Sequence, residues 1–258
     1  MTTIGKEDLK QGFLALGIKP GMNLEVHSSL SAFGFVEGGA DAVLDALQEI
    51  LTEEGTLVMP SFNHEAPYNK GEVFDIRSTP TTNGKIPDTF WRREGVLRGM
   101  NPTHAYAAWG RNAIRYTESQ QSETGLGKGS PLHRMYEDGG YVLLLGTGYH
   151  ANTFHHFVEQ MEGAHCLRQI GEIYPVIDAN GIKTTAHTWS WREKSCPLND
   201  LQHPVYEEAM GAIDSRQKIG DSLCILYPMR EGYRVIASFL HEHCGDCPIQ
   251  PRKHRYSI

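Results

Sequence analysis

No stretch of this chain is apolar for long enough to cross a bilayer. The strongest apolar runs, such as Val142 to Leu145, fall far short of the ~20 residues a spanning helix needs. The opening residues Met1 to Asp8 lack the apolar centre of an export signal and turn charged at once, which predicts a cytoplasmic protein. Cysteine is scarce too: five thiols, an odd number spread over 258 residues, argue against a disulfide framework and fit a reducing compartment. Basic runs are missing, and 31 acidic residues outweigh 24 lysines and arginines for a net charge of −7. That balance speaks against a nucleic-acid partner and suits a cationic small molecule. Hydrophobic residues make up 40% of the chain, enough for a core and too many for a disordered segment. With no linker or internal repeat, residues 1–258 read as one domain. What the chain does have in quantity is histidine (13) and glycine (27).

The periodicities predict an α/β fold with a mixed sheet flanked by helices, its core parallel and its extension antiparallel. Lys6 to Leu16 carries apolar residues at helical spacing and is stopped by Gly17. Gly21 to His27 alternates apolar and polar side chains and reads as a strand. Ala40, Val43, Leu44, Leu47, Ile50 and Leu51 form one stripe of a helix that starts after Gly38, and Gly55 to Pro60 reads as a buried strand. A strand-helix-strand unit results. Residues 61–88 are too polar for core and too long for a simple connection, which predicts a functional loop. Ser130 caps a helix with Pro131 at its first position, Tyr141 to Gly146 is a buried strand, and Ala151 to Glu162 is helical from an Asn152 cap. Asn180-Gly181 signals a hairpin between strands at 173–178 and 183–191, expected to extend the parallel core. Helices at 207–213 and 235–243 and a strand at 223–227 complete the chain.

Asn152-Thr-Phe-His-His-Phe-Val-Glu159 is the most informative stretch. At ~100° per residue, Asn152, His156 and Glu159 fall within an arc of roughly 60° on one helical face. A carboxylate three residues from an imidazole fixes its tautomer and leaves the other nitrogen able to take a proton, as a general base must. Spacing does not separate His156 from His155, which lies four residues before the same carboxylate.

Ordered blocks along the chain carry a resemblance. Leu24-Glu-Val-His-Ser-Ser-Leu-Ser-Ala-Phe-Gly-Phe-Val-Glu-Gly-Gly is followed by Glu54-Gly-Thr-Leu-Val-Met-Pro-Ser-Phe, Arg98-Gly-Met-Asn-Pro-Thr-His, Gly129-Ser-Pro-Leu and Asn152-Thr-x-x-His-x-x-Glu159. Together they resemble the aminoglycoside 3-N-acetyltransferase family over residues 7 to about 165; the final third matches mainly in general layout. The resemblance implies transfer of acetyl from acetyl-CoA to an amine of a cationic aminosugar, conferring antibiotic resistance, by direct transfer and without a metal. It implies that His156 is the general base and that Glu159 supports it or holds the amine. His27, Ser28, Ser29, Leu30, Phe35, Val36, Thr103 and Ser130 are expected to bind the coenzyme, with backbone N–H groups at Gly38 and Gly39 suited to its pyrophosphate. Asn152, Glu159, Glu65 and Asp75 are expected to meet the acceptor. In the block where the family usually reads His-Pro-x-x-Ser this chain has Asn101 and Ala105, which removes polar groups the family could use there. A homodimer is an option.

Other readings stay open at this level. The family scaffold could acylate a different small amine. His241-Glu-His-Cys-Gly-Asp-Cys247 contains a Cys-x-x-Cys and two histidines, the ingredients of a metal-binding or other non-catalytic protein, but the histidines lie two apart on a helix and point different ways. A cysteine mechanism would use Cys166 or Cys196 as nucleophile.

Overall fold

The computed structural model describes residues 2–63, 65, 72–118, 125–164, 171–189 and 204–244. The chain begins with β1 (Thr3–Ile4), α1 (Lys6–Leu16), β2 (Asn23–Ser28), a 3₁₀ turn (Leu30–Phe33), β3 (Phe35–Val36), α2 (Gly39–Leu51) and β4 (Thr56–Pro60). There follow β5 (Phe74–Asp75), α3 (Lys85–Phe90), β6 (Leu97–Arg98), β7 (Tyr106–Gly110), α4 (Ala113–Thr117), α5 (Pro131–Glu137) and β8 (Tyr141–Leu145). A second 3₁₀ turn (Tyr149–Ala151) leads into α6 (Thr153–Met161), β9 (Gly171–Ile177), β10 (Lys183–Trp189), α7 (Pro204–Gly211), β11 (Ser215–Ile219), β12 (Ser222–Pro228) and α8 (Met229–Cys244).

Seven strands form the main sheet in the order β11-β12-β8-β2-β4-β7-β6. Its centre, β8-β2-β4, is parallel, and both flanks are antiparallel. The fold class is therefore the α/β architecture that the periodicities imply. One expectation is corrected: the hairpin β9-β10 does not extend this sheet but pairs with β5 in a separate three-stranded one. The turn itself forms as its residues dictate, with Gly181 at φ +82° and Asp178 Oδ1 accepting the N–H groups of Asn180 and Ile182. Which sheet a hairpin joins is a long-range choice that its local pattern does not encode.

Both faces of the main sheet are covered. Leu24, Val26, Leu57, Met59, Leu143 and Leu145 pack against α1 and α2, while Val58, Val142, Leu144 and Tyr106 pack with α5, α6 and α8. Because side chains alternate along a strand, Glu25 and His27 of β2 share the second face, beside Val58, Val142 and Leu144 in register. The polar half of the alternation is thus buried, not solvated: Glu25 is 0% and His27 7% exposed.

The loop after β2 is pinned at both ends. Ser29 N–H donates to Leu145 O, and β3 pairs with β1, which sets Phe35 opposite Thr3 and Val36 opposite Ile4. The polar segment 61–88 is more structured than its composition suggests: Phe74 and Ile86 are fully buried, and Arg98 donates to the carbonyls of Ser61, Ile76 and Thr79 while stacking on Trp91 and Phe74.

Candidate active site

The carboxyl ends of the parallel strands converge on one cavity of about 300 Å³. His27 and Ser28 reach it from β2, Pro60 and Phe62 from β4, and Thr147, His150 and Ala151 from the turn after β8. Asn152, Thr153 and His156 close it from the start of α6, and Asn83 and Pro87 from α3 and the loop before it.

His156 is the partly accessible imidazole of this wall. Its Nδ1 lies 2.6 Å from Glu159 Oε2. A carboxylate only accepts, so Nδ1 donates, and Nε2 is the nitrogen bearing the lone pair. Glu159 is 1% exposed and also faces His155, whose Nε2 is 3.4 Å from Oε1. Burial by itself would raise the Glu159 carboxyl. The neighbouring imidazoles, His156 foremost, outweigh it and hold the carboxyl well below its ordinary range. His155 is completely buried, and of these two histidines His156 alone lines the cavity.

A groove of about 590 Å³ runs away from the cavity along the loop after β2. It is lined by Ser28, Ser29, Leu30, Ser31, Phe35 and Val36, with Gly39 at the first residue of α2 and Lys85 at the first residue of α3. Ser28 belongs to both spaces. Phe35 is 57% exposed, an aromatic face turned outward where a ligand could cover it. Thr147 and His150 also line a hollow of about 520 Å³ that contains Glu207 and Asp221 and reaches Ala32 of the loop after β2. Gly146 makes this junction: at φ +66° its Cα sits so close to the loop after β2 that a Cβ would come within 2.4 Å of Ala32 Cβ.

Thr103, Ser130 and Asp75, singled out from sequence, have side-chain partners of their own. Thr103 is fully buried in a turn closed by Asn101, whose Oδ1 accepts the N–H groups of Thr103 and His104 and the Thr103 hydroxyl. This turn stands behind the cavity wall, with the His104 ring edge-on to Phe62 at 4.9 Å. Ser130 is fully buried and accepts His133 N–H as the N-cap of α5, so its hydroxyl serves the helix. Asp75 is engaged by Arg77 through paired contacts of 3.0 and 2.8 Å. Glu65 is exposed, its N–H bound to Asn63 Oδ1. Asn152 does occupy the N-cap position of α6, but its side chain accepts the Tyr227 hydroxyl at 2.8 Å instead of a helix amide. It lines the cavity wall. His150, Asn83 and Lys85 were missed; they carry no motif, and only folding brings them beside residues that do.

Among the described residues no cluster of three or more His, Cys, Asp or Glu suits a metal. His241 is committed to Glu162 at 2.7 Å, whereas Cys247 lies outside the described residues, as do Cys166 and Cys196. No described helix is long and apolar enough to cross a membrane.

Known proteins resemble this chain in sequence and in fold. An aminoglycoside N(3')-acetyltransferase-like protein YokD, SPbeta prophage-derived, from Bacillus subtilis (strain 168), is 38% identical over 174 residues, 60% of this chain and 64% of the relative, so the match spans less than two thirds of that protein. The solved structure of a histidine-to-alanine mutant of aminoglycoside acetyltransferase AAC(3)-IVa in complex with a gentamicin matches with a TM-score of 0.77 and 26% identity, covering 94% of this chain and 90% of that one. The fold of AAC-IIIb, solved as a binary complex with CoASH, matches with a TM-score of 0.83 at 21% identity over 95% and 99% of the two chains. Residues 26–241 match the aminoglycoside 3-N-acetyltransferase family as a whole, and the chain belongs to that family.

Proposed function

We propose that this protein transfers the acetyl group of acetyl-CoA to an amine of an aminoglycoside, with His156 as general base, in one ternary complex. The observation that carries the reading is the 2.6 Å contact between His156 Nδ1 and the buried carboxylate of Glu159, at a point where a coenzyme-sized groove and an acid-lined hollow meet. An ammonium has no lone pair, so a proton must leave before nitrogen can attack. His156 Nε2 takes that proton, and the developing imidazolium is stabilised by Glu159 through Nδ1–H. The amine nitrogen then bonds to the thioester carbon, the carbonyl π pair moves to oxygen, and collapse of the tetrahedral intermediate breaks the C–S bond. The sulfur leaves as thiolate and takes the second proton of the attacking nitrogen, so the products are the acetamide and coenzyme A as its thiol, and His156 gives the first proton to solvent. The groove along Ser28 to Val36 holds the pantetheine arm, and Gly39 and Lys85 face its phosphates. Glu207 and Asp221 favour a polycationic acceptor in the neighbouring hollow.

A thiol-release assay with acetyl-CoA tests this across a panel of aminoglycosides and simpler amines. His156→Ala should lower turnover by about 10²–10⁴-fold and leave acetyl-CoA binding unchanged; retained turnover rejects the assignment of the base. Release with simple amines alone would move the acceptor class away from aminoglycosides.

A further inference from the structure

The groove along Ser28 to Val36 is supported unequally at its two ends. Ser29 hangs from the main sheet through Leu145, whereas β3, which supplies Phe35 and Val36 to the groove wall, pairs with β1 in a separate two-stranded sheet. Phe35 N–H donates to Thr2 O at 2.8 Å and Glu37 N–H to Ile4 O at 2.9 Å. Two strands of two residues each are not stable by themselves, so β1 needs an anchor of its own. Ile4 supplies part of it from the core, at 6% exposure. The rest comes from Asp221, in the turn between β11 and β12. Its Oδ1 accepts the Thr2 hydroxyl at 2.5 Å and its Oδ2 the Thr2 backbone N–H at 3.2 Å. Asp221 N–H in turn donates to Phe33 O at 3.1 Å, so one residue grips both the N-terminal strand and the loop that forms the groove. Gly34 sits at the crossing with φ +88°, where a Cβ would come within 2.6 Å of Thr2 O and 2.9 Å of Asp221 Oδ2. Hydrogen bonds from Thr2, its hydroxyl foremost, hold the Asp221 carboxyl below its ordinary range, so the acceptor is a carboxylate at neutral pH. Residues 26–241 carry the family match, and Thr2 to Ile4 stand ahead of it, so family membership assigns them no task.

We infer that Thr2 is a positioning residue for the coenzyme: by bonding Asp221 it latches β1 in place, and β1 holds Phe35 and Val36 in the shape that receives acetyl-CoA. The inference rests on the proposed use of this groove. Thr2 is not part of the groove wall, so it acts through the backbone of β3 and not by touching the ligand. A loop that must be ordered on binding subtracts that ordering from the affinity, and a loop ordered beforehand does not. Loosening the latch lowers the fraction of molecules whose groove is formed, and the apparent affinity falls by that fraction. Once the coenzyme is seated the same complex is reached, so proton transfer at His156 is untouched. Asp221 also lines the hollow beside the cavity. Each of its oxygens takes one hydrogen from Thr2 and can take another, so the latch and a cationic acceptor can use the same carboxylate together.

The test is calorimetric binding of acetyl-CoA to the whole chain without acceptor, joined to steady-state kinetics and amide hydrogen exchange. Thr2→Val removes the hydroxyl and keeps the size of an exposed side chain, so the melting temperature should hold. Its dissociation constant for acetyl-CoA should rise about 5–30-fold, with kcat at saturating coenzyme within about twofold of the wild type. Thr2→Ser, which restores the donor, should bring the constant back. The Phe35 and Glu37 amides should exchange faster in Thr2→Val than in the wild type, and bound acetyl-CoA should close that gap. Asp221→Asn should weaken coenzyme binding far less in the Thr2→Val background than alone, because both substitutions open one latch. An unchanged dissociation constant in Thr2→Val, a loss that Thr2→Ser shares, or a fall in kcat without weaker binding overturns this role and leaves the reading of the groove and of His156 intact. Failure of the wild type to bind acetyl-CoA overturns both.

Discussion

At the scale of single residues, the decisive quantity is the burial of Glu159. A carboxylate at 1% exposure is tolerable only because two imidazoles face it, at 2.6 and 3.4 Å. Its carboxyl is held below the ordinary value of 4.5, so the unfolded chain binds a proton at a pH where the folded chain does not. Stability from this group is therefore complete above pH 4.5 and is lost as the pH falls through the depressed folded value. Urea unfolding between pH 7 and 3 should show this as a decline that Glu159→Gln flattens, by at most about 1.4 kcal/mol per pH unit. His155→Leu should fall between the two, having lost the smaller of the two ring contributions. Parallel declines in all three proteins would mean that the carboxylate gains nothing from its neighbours. Cys224 illustrates the opposite case: burial pushes its thiol up to about 11, which leaves it protonated and inert at neutral pH.

At the scale of elements, the first residue of α3 and the strand that precedes the site separate what the sequence discloses from what it hides. The helix at Gly39–Leu51 is legible because Val43, Leu44, Leu47 and Leu51 mark one stripe, and the blocks around His27 and His156 announce chemistry by motif. Strand β7 is not legible, since Ala107 and Ala108 have weak strand preference and pair with β4 only through tertiary packing. Helix α3 hides inside a polar segment, and with it Lys85, a cation lining the groove proposed for the coenzyme. Lys85→Ala should therefore raise the KM for acetyl-CoA several-fold with kcat unchanged, and added salt should shrink the difference. Equal KM values at low salt would remove Lys85 from the groove's phosphate contacts. Gly146 belongs to this scale too, because it lets the turn after β8 pass against Ala32 and Ser222. Gly146→Ala puts a Cβ 2.4 Å from Ala32 Cβ and 2.6 Å from Ser222 Oγ and keeps an unfavourable φ, which should cost at least about 2 kcal/mol in chemical denaturation.

At the scale of the whole molecule, the net charge of −7 acquires a location. Acidic side chains are spread over the surface, and many are neutralised locally, as Glu49 is by Lys6 and Lys10 or Asp75 by Arg77. Asp221 takes the hydroxyl and backbone N–H of Thr2 with the charge of Lys218 near it, and it lines the hollow next to the cavity of His156 with Glu207, which Arg216 faces at 3.8 Å. Attraction between a polycationic acceptor and these carboxylates acts over about one Debye length, near 10 Å at 0.1 M salt. Raising ionic strength should then increase the KM for an aminoglycoside more than for a monoamine, while kcat for both stays level. Asp221→Asn should reproduce part of the salt effect at low ionic strength. If salt moves both acceptors equally and Asp221→Asn changes neither, the hollow plays no part in choosing the acceptor, and the acidic balance of the chain serves solubility alone.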